Sequence, residues 1–187
     1  LEGFIYVPSI CLYVAKEKFL YRLTWYKAHK ELQKQDYQML TPFQFIAFVQ
    51  YLKQNPNQEN KQILDEILTL KDPWRGEWLD AYFEQRTEGL HILTQNKTQD
   101  EKLEDCLMQD YYPKKIDLAS CNKQGLPTRE GNDINYWYPR PDRVAWFNAG
   151  SGRASLGCGW DPESSDSSLG VRPAREILDS YTTEQIS

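Results

Sequence analysis

Between Val144 and Trp160 the chain reads Val144-Ala-Trp-Phe-Asn-Ala-Gly-Ser-Gly-Arg-Ala-Ser-Leu-Gly-Cys-Gly-Trp160, a scaffold of small or apolar residues interleaved with unlike ones. Val144, Phe147, Ala149, Ala154, Leu156 and Cys158 are small or apolar. Between them stand Trp146, Asn148, Gly150, Gly152, Ser155, Gly157 and Gly159, which share no chemistry. Alternation with a period of two is the signature of strands with one face turned inward. An ordinary exposed strand face would favour β-branched residues, and a catalytic loop would concentrate titratable groups. The pattern points instead to strands that display a binding surface.

A chain of 187 residues suits one domain, at most with a small appendage, and is long enough to bury a core. Hydrophobic residues make up 40% and charged residues 26%, which is globular rather than disordered. The aromatic content is high at 13%, with 12 Tyr and 6 Trp, and such rings are favoured at recognition surfaces because they give large contact area at low entropic cost. Those near the N-terminus read as core. A net charge of -5 leaves no basic footprint for nucleic acid. The longest apolar stretch, Phe43 to Leu52, is interrupted by Gln and is too short to insert into a membrane. No signal peptide is visible and the chain reads as soluble, but it begins at Leu1 without a Met, so localisation stays open. Cys11, Cys106, Cys121 and Cys158 are scattered without a C-x-x-C pair. All four are expected to be buried reduced thiols, and neither a metal nor a cofactor is implied.

Phe4 to Val14, with Pro8 at its middle, predicts two short strands or one broken edge strand. Trp25 to Gln35 predicts a helix with Trp25, Ala28 and Leu32 on one face and Lys27, Lys30 and Lys34 outside. Thr41-Pro-Phe-Gln44 is a helix start, with Thr41 and Gln44 able to form a capping box and Pro42 at the first helical position. Asn55-Pro-Asn57 ends that helix and caps the next, whose stripe is Ile63, Leu64, Ile67 and Leu68. Asp72-Pro-Trp74 is a break, and Arg75 to Phe83 is read as a further short helix. Leu90 to Thr94 predicts a strand, Asn96 to Glu130 a polar, loop-rich stretch, and Asn135 onward several short strands ending in Ser168 to Pro173. Strands, then helices, then strands with long loops make an α+β domain.

Other constellations read as structural. The pairs Gly150/Gly152 and Gly157/Gly159 lack the Lys and the following helix of a phosphate loop, and are turn or surface glycines. Asp161-Pro-Glu-Ser-Ser-Asp166 lacks calcium-loop spacing and is a solvated turn. His29 and His91 have no nucleophile beside them and are structural or surface groups. Glu77, Asp80, Glu104 and Asp105 read as surface charge. Arg153 and Arg172, inside apolar runs, are expected to be partly buried and paired. Asn96-Lys-Thr98 matches the glycosylation sequon.

Tyr136-Trp-Tyr-Pro-Arg, Val144-Ala-x-Phe, Ser151-x-Arg-Ala-x-Leu-x-Cys158 and Leu169-Gly-Val-Arg-Pro173 resemble the variable region of proteins diversified by diversity-generating retroelements. Glu2 to Ile10 and Asp72 to Asp80 resemble the body of the archaeal and viral branch of that family. The resemblance implies a single domain over residues 1–176, a variable region over 135–173 and a polar tail over 177–187. It implies a C-type lectin fold of the formylglycine-generating-enzyme-like subtype: a small twisted antiparallel sheet flanked by helices and carrying long loops. In that family a reverse transcriptase copies a template repeat and mutates it at adenines, so that solvent-exposed side chains vary on a constant backbone. Carried over by position, the diversified, ligand-binding set is Asp142, Trp146, Asn148, Gly150, Gly152, Ser155, Gly157, Gly159, Trp160, Asp161, Ser164 and Asp166. The framework is Tyr136, Trp137, Phe147, Arg153, Ala154, Leu156, Cys158, Leu169 and Arg172. The calcium-ligating triplets of sugar-binding lectins and the paired cysteines of formylglycine-generating enzymes are both absent from this sequence.

The expectation is a non-enzymatic receptor-recognition protein with no cofactor, whose partner is an unidentified macromolecule, a protein or a cell surface. The alternative is an enzyme on the related fold, with a cleft lined by Cys158, Arg153 and Asp161 and a depressed thiol pKa at Cys158.

Overall fold

In a computed structural model of the chain, residues 2–94, 99–108, 113–150 and 152–176 are described. Strands β1 (Phe4–Val7) and β2 (Leu12–Ala15) pair antiparallel around a one-turn 3-10 helix at Pro8–Ile10, so the proline breaks the run as expected. Helix α1 (Trp25–Gln33) is followed by the two-residue strand β3 (Gln38–Met39). Helix α2 (Pro42–Gln54) starts with the expected capping box. The Thr41 hydroxyl accepts from Gln44 N, and Gln44 Oε1 accepts from Thr41 N. Helix α3 (Gln58–Leu68) is capped by Asn57.

Strand β4 (Arg75–Arg86) comes next and overturns the expected short helix at residues 75–83. Gly76 through Ala81 are all buried, because β4 is covered on both faces. Leu79, Ala81 and Phe83 belong to one core and Trp78 and Tyr82 to another. With both faces apolar, no inside-outside contrast marks the period of two. Glu77 and Asp80, expected on the surface, are 1% and 0% exposed.

Strand β5 (Gly89–Thr94) hairpins back on β4 and bears out its expectation. The stretch expected to be loop-rich contains β6 (Gln99–Lys102) and β7 (Lys114–Ile116). The first is an exposed edge strand of polar residues and the second is three residues long, so neither carries an apolar signature. Strands β8 (Ile134–Trp137), β9 (Arg143–Ala149) and β10 (Ala154–Trp160) complete the large sheet, in the order β6-β5-β4-β9-β10-β8-β7. The expected last strand is divided. β11 (Leu169–Gly170) pairs in parallel with β4, whereas β12 (Pro173–Glu176) joins a second sheet in the order β1-β2-β12-β3. The architecture is α+β, with three helices and two sheets among the described residues. No helix there is long and apolar enough to cross a membrane.

The large sheet separates two cores. Phe45, Phe48, Val49 and Leu52 of α2 and Ile63 and Ile67 of α3 pack with Leu79, Phe147, Leu156 and Cys158. On the opposite face Trp25, Ala28 and Leu32 of α1 pack with Trp78, Val144, Leu169 and Val171. Two indoles lock α1 in place: Trp25 Nε1 donates to Leu79 O at 2.8 Å, and Trp78 Nε1 to Leu23 O at 3.1 Å.

Arg172, between β11 and β12, ties the sheets together. Its side chain is 1% exposed. Nε and Nη2 reach the two carboxylate oxygens of Glu77 at 3.1 and 3.4 Å, and Nη2 also meets Glu66 of α3 at 3.4 Å. Nη1 donates to the carbonyls of Ala15 and Lys16 at the end of β2. A bidentate guanidinium suits this geometry, and the expectation of a buried, paired arginine is met. Removing one member of such a pair strands the other charge away from water. Arg172→Met is therefore expected to lower unfolding free energy by about 3–5 kcal/mol in urea titration, with Glu77→Gln in the same chain recovering part of that loss.

Candidate binding face

The register of three neighbouring strands builds the face. Trp146 lies opposite Gly157 on β10 and Trp78 on β4, while Asn148 lies opposite Ser155 and Gly76. Directly opposed residues share a side of the sheet. Trp146, Asn148, Ser155 and Gly157 are therefore on one side, and Phe147, Ala149, Ala154, Leu156 and Cys158 on the other, in the α2–α3 core. A bulge between Gly157 and Trp160 brings Trp160 opposite Val144. Its indole then stacks on that of Trp146, with centroids 4.1 Å apart and planes at 29°. Trp74, just before β4, meets Trp146 edge-on at 5.5 Å and 89°. Both geometries are the favourable ones for aromatic pairs.

Glycines make room for this ladder. A Cβ on Gly157 would lie 2.3 Å from Trp146 Nε1, one on Gly76 2.9 Å from the Trp74 ring, and one on Gly150 3.1 Å from Trp74 Cβ. The expected turn glycine at 157 is thus a spacer beneath an indole, and Gly150 lies close against the Trp74 Cβ. Gly152, by contrast, has nothing within 4 Å of its Cβ position.

Of the twelve residues expected to face solvent, Asp142, Gly152 and Asp161 are exposed. Trp146, Asn148, Gly150, Gly159, Trp160, Ser164 and Asp166 are half-buried. Ser155 and Gly157 are buried, which corrects the expectation for those two: the Trp146 ring covers Gly157, and Ser155 lies opposite Asn148 with its hydroxyl on Arg153 O. Among the framework residues, Tyr136, Phe147, Ala154, Leu156, Cys158, Leu169 and Arg172 are buried. Trp137 is not. It pairs with Gly157 from β8 and is 40% exposed, at the far edge of the same face. Arg153 is half-buried, with one contact of 3.5 Å to Asn132. Residue identity alone did not reveal Trp74, Trp137 or the Arg140 guanidinium over Tyr138, 5.3 Å from its centroid and beside Gly159. The high aromatic content, of a kind favoured at recognition surfaces, was the available signal.

An acidic rim borders the ladder. The Tyr82 hydroxyl donates to Asp142 Oδ1 at 3.2 Å. Burial, and then Asp142, push the Tyr82 phenol up to about 12. Burial, followed by Glu163, Asp142 and Asp161, also raises Tyr26. Asp161 and Arg143 approach to 3.9 Å. The loop from Asp161 to Asp166 is a hydrogen-bonded turn: Asp161 Oδ1 accepts from Glu163 N, and Asp166 Oδ1 from Ser168 N. Its backbone is tied to the start of α1 through Trp25 N to Pro162 O.

The cysteines differ from expectation. All are free, but only Cys158 is fully buried; Cys11 is exposed, and Cys106 and Cys121 are half-buried. Burial, then Cys106, hold the Cys158 thiol well above its ordinary value, opposite to the depressed pKa that the enzyme alternative requires. His29 is buried in α1, its Nε2 3.3 Å from Asp80 and its ring against Trp25. His91 bridges Asp100 at 2.9 Å and Glu88 at 3.0 Å. Both histidines are structural. The sequon at Asn96 lies outside the described residues. Among the described residues no group of three or more His, Cys, Asp or Glu is placed to hold a metal.

Two outcomes follow from this geometry. Gly157→Ala displaces the Trp146 indole, which is expected to cost about 1–3 kcal/mol and to red-shift tryptophan emission, whereas Gly152→Ala stays within about 0.5 kcal/mol of the parent. The Tyr82 phenol stays protonated to about 12 in the folded chain against 10.0 when unperturbed. Its contribution to stability is complete below pH 10 and is lost as pH rises through about 12. Ultraviolet titration of the tyrosinates should show this late phenol, and Asp142→Asn should bring it down.

The chain matches no family model, no curated protein and no solved structure.

Proposed function

We propose that this chain is a non-enzymatic recognition protein whose face of Trp146, Asn148, Trp160 and their neighbours binds a macromolecular partner and is diversified by adenine-directed retroelement mutagenesis. The observation that carries the reading is the division of β9 and β10. Every small or apolar residue of the alternating pattern from Phe147 to Cys158 lies in the α2–α3 core, and Asn148, Ser155 and Gly157 lie on the other side with Trp146. A backbone pinned from one side keeps its course while side chains on the other change. Trp146 and Trp160 are the anchors, large and rigid, with Asn148, Asp142 and Asp161 supplying adaptable hydrogen bonds around them. The finer fold assignment, a C-type lectin fold of the formylglycine-generating-enzyme-like subtype, belongs to the same proposal. Its support is a mostly antiparallel sheet with helices packed on both faces and the 161–168 loop between β10 and β11.

Two measurements test it. The DNA flanking the gene is expected to hold a near-copy of the segment for residues 135–172, differing only at adenines, beside a reverse transcriptase gene. Independently, a displayed library randomised at Asn148, Gly152, Trp160 and Asp161 is expected to remain mostly protease-resistant, while one randomised at Phe147, Ala149, Leu156 and Cys158 does not. Equal losses in the two libraries, or no template copy, would defeat the reading.

A further inference from the structure

Beside the tryptophan ladder, between α1 and the strands β4 to β6, lies an open cleft of about 500 Å³. Trp25, Tyr26, Tyr82, Leu93, Thr94 and Asp100 are among its walls. Each of these lies outside residues 135–173, so on the reading above the walls belong to the constant part of the chain, while the carboxylates at the rim, Asp142, Asp161 and Glu163, belong to the variable region. Trp25 is 1% exposed and forms the floor, with its ring 5.3 Å from that of Tyr26 and 6.3 Å from that of Tyr82.

Charge at the cleft is one-sided. Asp142 accepts from the Tyr82 hydroxyl, and Asp142, Glu163 and Asp161 all act on the Tyr26 phenol. The only guanidinium paired at this rim among the described residues is Arg143, 3.9 Å from Asp161. At the opposite end, Asp100 is already neutralised by Arg86 at 2.6 Å and bonded to His91. The surplus therefore lies at the Tyr26–Tyr82–Asp142 end. Thr94 Oγ1, in the wall, is buried and has no hydrogen-bond partner among the described residues. Two phenol rings, an apolar floor and surplus carboxylates attract a cation and disfavour an anion.

We propose that this cleft receives a cationic side chain, arginine or lysine, of the macromolecular partner, held between ring walls from the constant part of the chain and a rim carboxylate, Asp142, from the changing part. The inference rests on the proposed recognition function, and it names the chemistry of one part of the partner. The guanidinium or ammonium lies against Tyr26 and Tyr82 and pairs with Asp142, while its aliphatic stem covers the Trp25 floor.

The test needs no partner. N-acetyl-arginine amide and its neutral isostere N-acetyl-citrulline amide are titrated into the whole chain, and the aromatic ring resonances of Tyr26 and Tyr82 are followed. Arginine amide is expected to shift both rings saturably, and citrulline amide is not. Asp142→Asn should weaken the arginine response about two- to fivefold; asparagine tolerates the positive φ of 58° at that position, so the fold is retained. Tyr26→Leu is the second variant, and should abolish the shift at Tyr82 while preserving the circular dichroism spectrum. Equal responses to the two amides, indifference to Asp142→Asn, or no saturable shift would overturn the cleft assignment. None of these results would touch the template copy or the library comparison, so failure here and failure of the recognition reading are separable.

Discussion

Arg172 and Glu77 are both withdrawn from water, and the relation between the two sheets depends on how each charge is satisfied. Glu77 lies on β4, the strand between the two cores, and its carboxylate has no exposure to solvent that would compensate it. Arg172 supplies both of its hydrogen bonds and spends its remaining donors on the carbonyls of Ala15 and Lys16 and on Glu66 of α3. One side chain thus joins β4, the end of β2 and helix α3. The chain must place residue 172 within reach of all three, and this explains why the last segment divides: β11 runs beside β4, and two residues later β12 has crossed to β2 and β3. The guanidinium also rests on the Phe48 ring of α2, 5.6 Å away, so the polar tie is embedded in apolar packing.

Helices α2 and α3 pack on one face of the large sheet and α1, nine residues long, on the other. Helix α1 packs with Trp78 and Val144 in one cluster, against which Trp74, Trp146 and Trp160 lie partly buried and partly open. Their indoles close over strand positions where a side chain would collide, which is why glycines alternate with them. The same residues are edge of a core and candidate contact surface, and an anchor with this double footing is rigid before any partner arrives.

Legibility in the sequence followed the range of the interactions involved. The capping box of Thr41 and Gln44, the Asn57 cap and the Pro8 break are local, and the residues a few positions away are enough to read them. The alternation in β9 and β10 was legible because one of its faces is uniformly apolar. Strand β4 was not. Covered on both sides, with Glu77 and Asp80 buried by partners distant in sequence, it offers no contrast between faces, and its Leu, Ala and Glu suit a helix as well. Within the candidate face, the chemistry of Trp146 and Gly157 was visible as separate residues. Their collision across two strands was not, since it arises only when the register opposes them. Trp74 was likewise visible as a residue after Asp72-Pro73 and invisible as the third ring of a ladder.

The same collision constrains how such a face can change. On the proposed reading, positions 146 and 157 are altered independently, codon by codon. The space between them holds either a large ring at 146 over a bare backbone at 157, or a smaller residue at 146 and a side chain at 157. It does not hold both, with 2.3 Å separating Nε1 from a Cβ. Gly76 and Gly150 set a similar limit beneath Trp74, but Trp74 and Gly76 lie outside residues 135–173, so that end of the ladder is constant while the Trp146 end is free to exchange. Diversity at this face is therefore correlated in pairs across the strands rather than free at each position. The exposed positions, Asp142, Gly152 and Asp161, escape the correlation because they stand in solvent rather than between packed rings. A face of this kind offers two sorts of change: coupled exchange of volume at its centre, which alters shape, and independent exchange at its rim, which alters charge and hydrogen bonding.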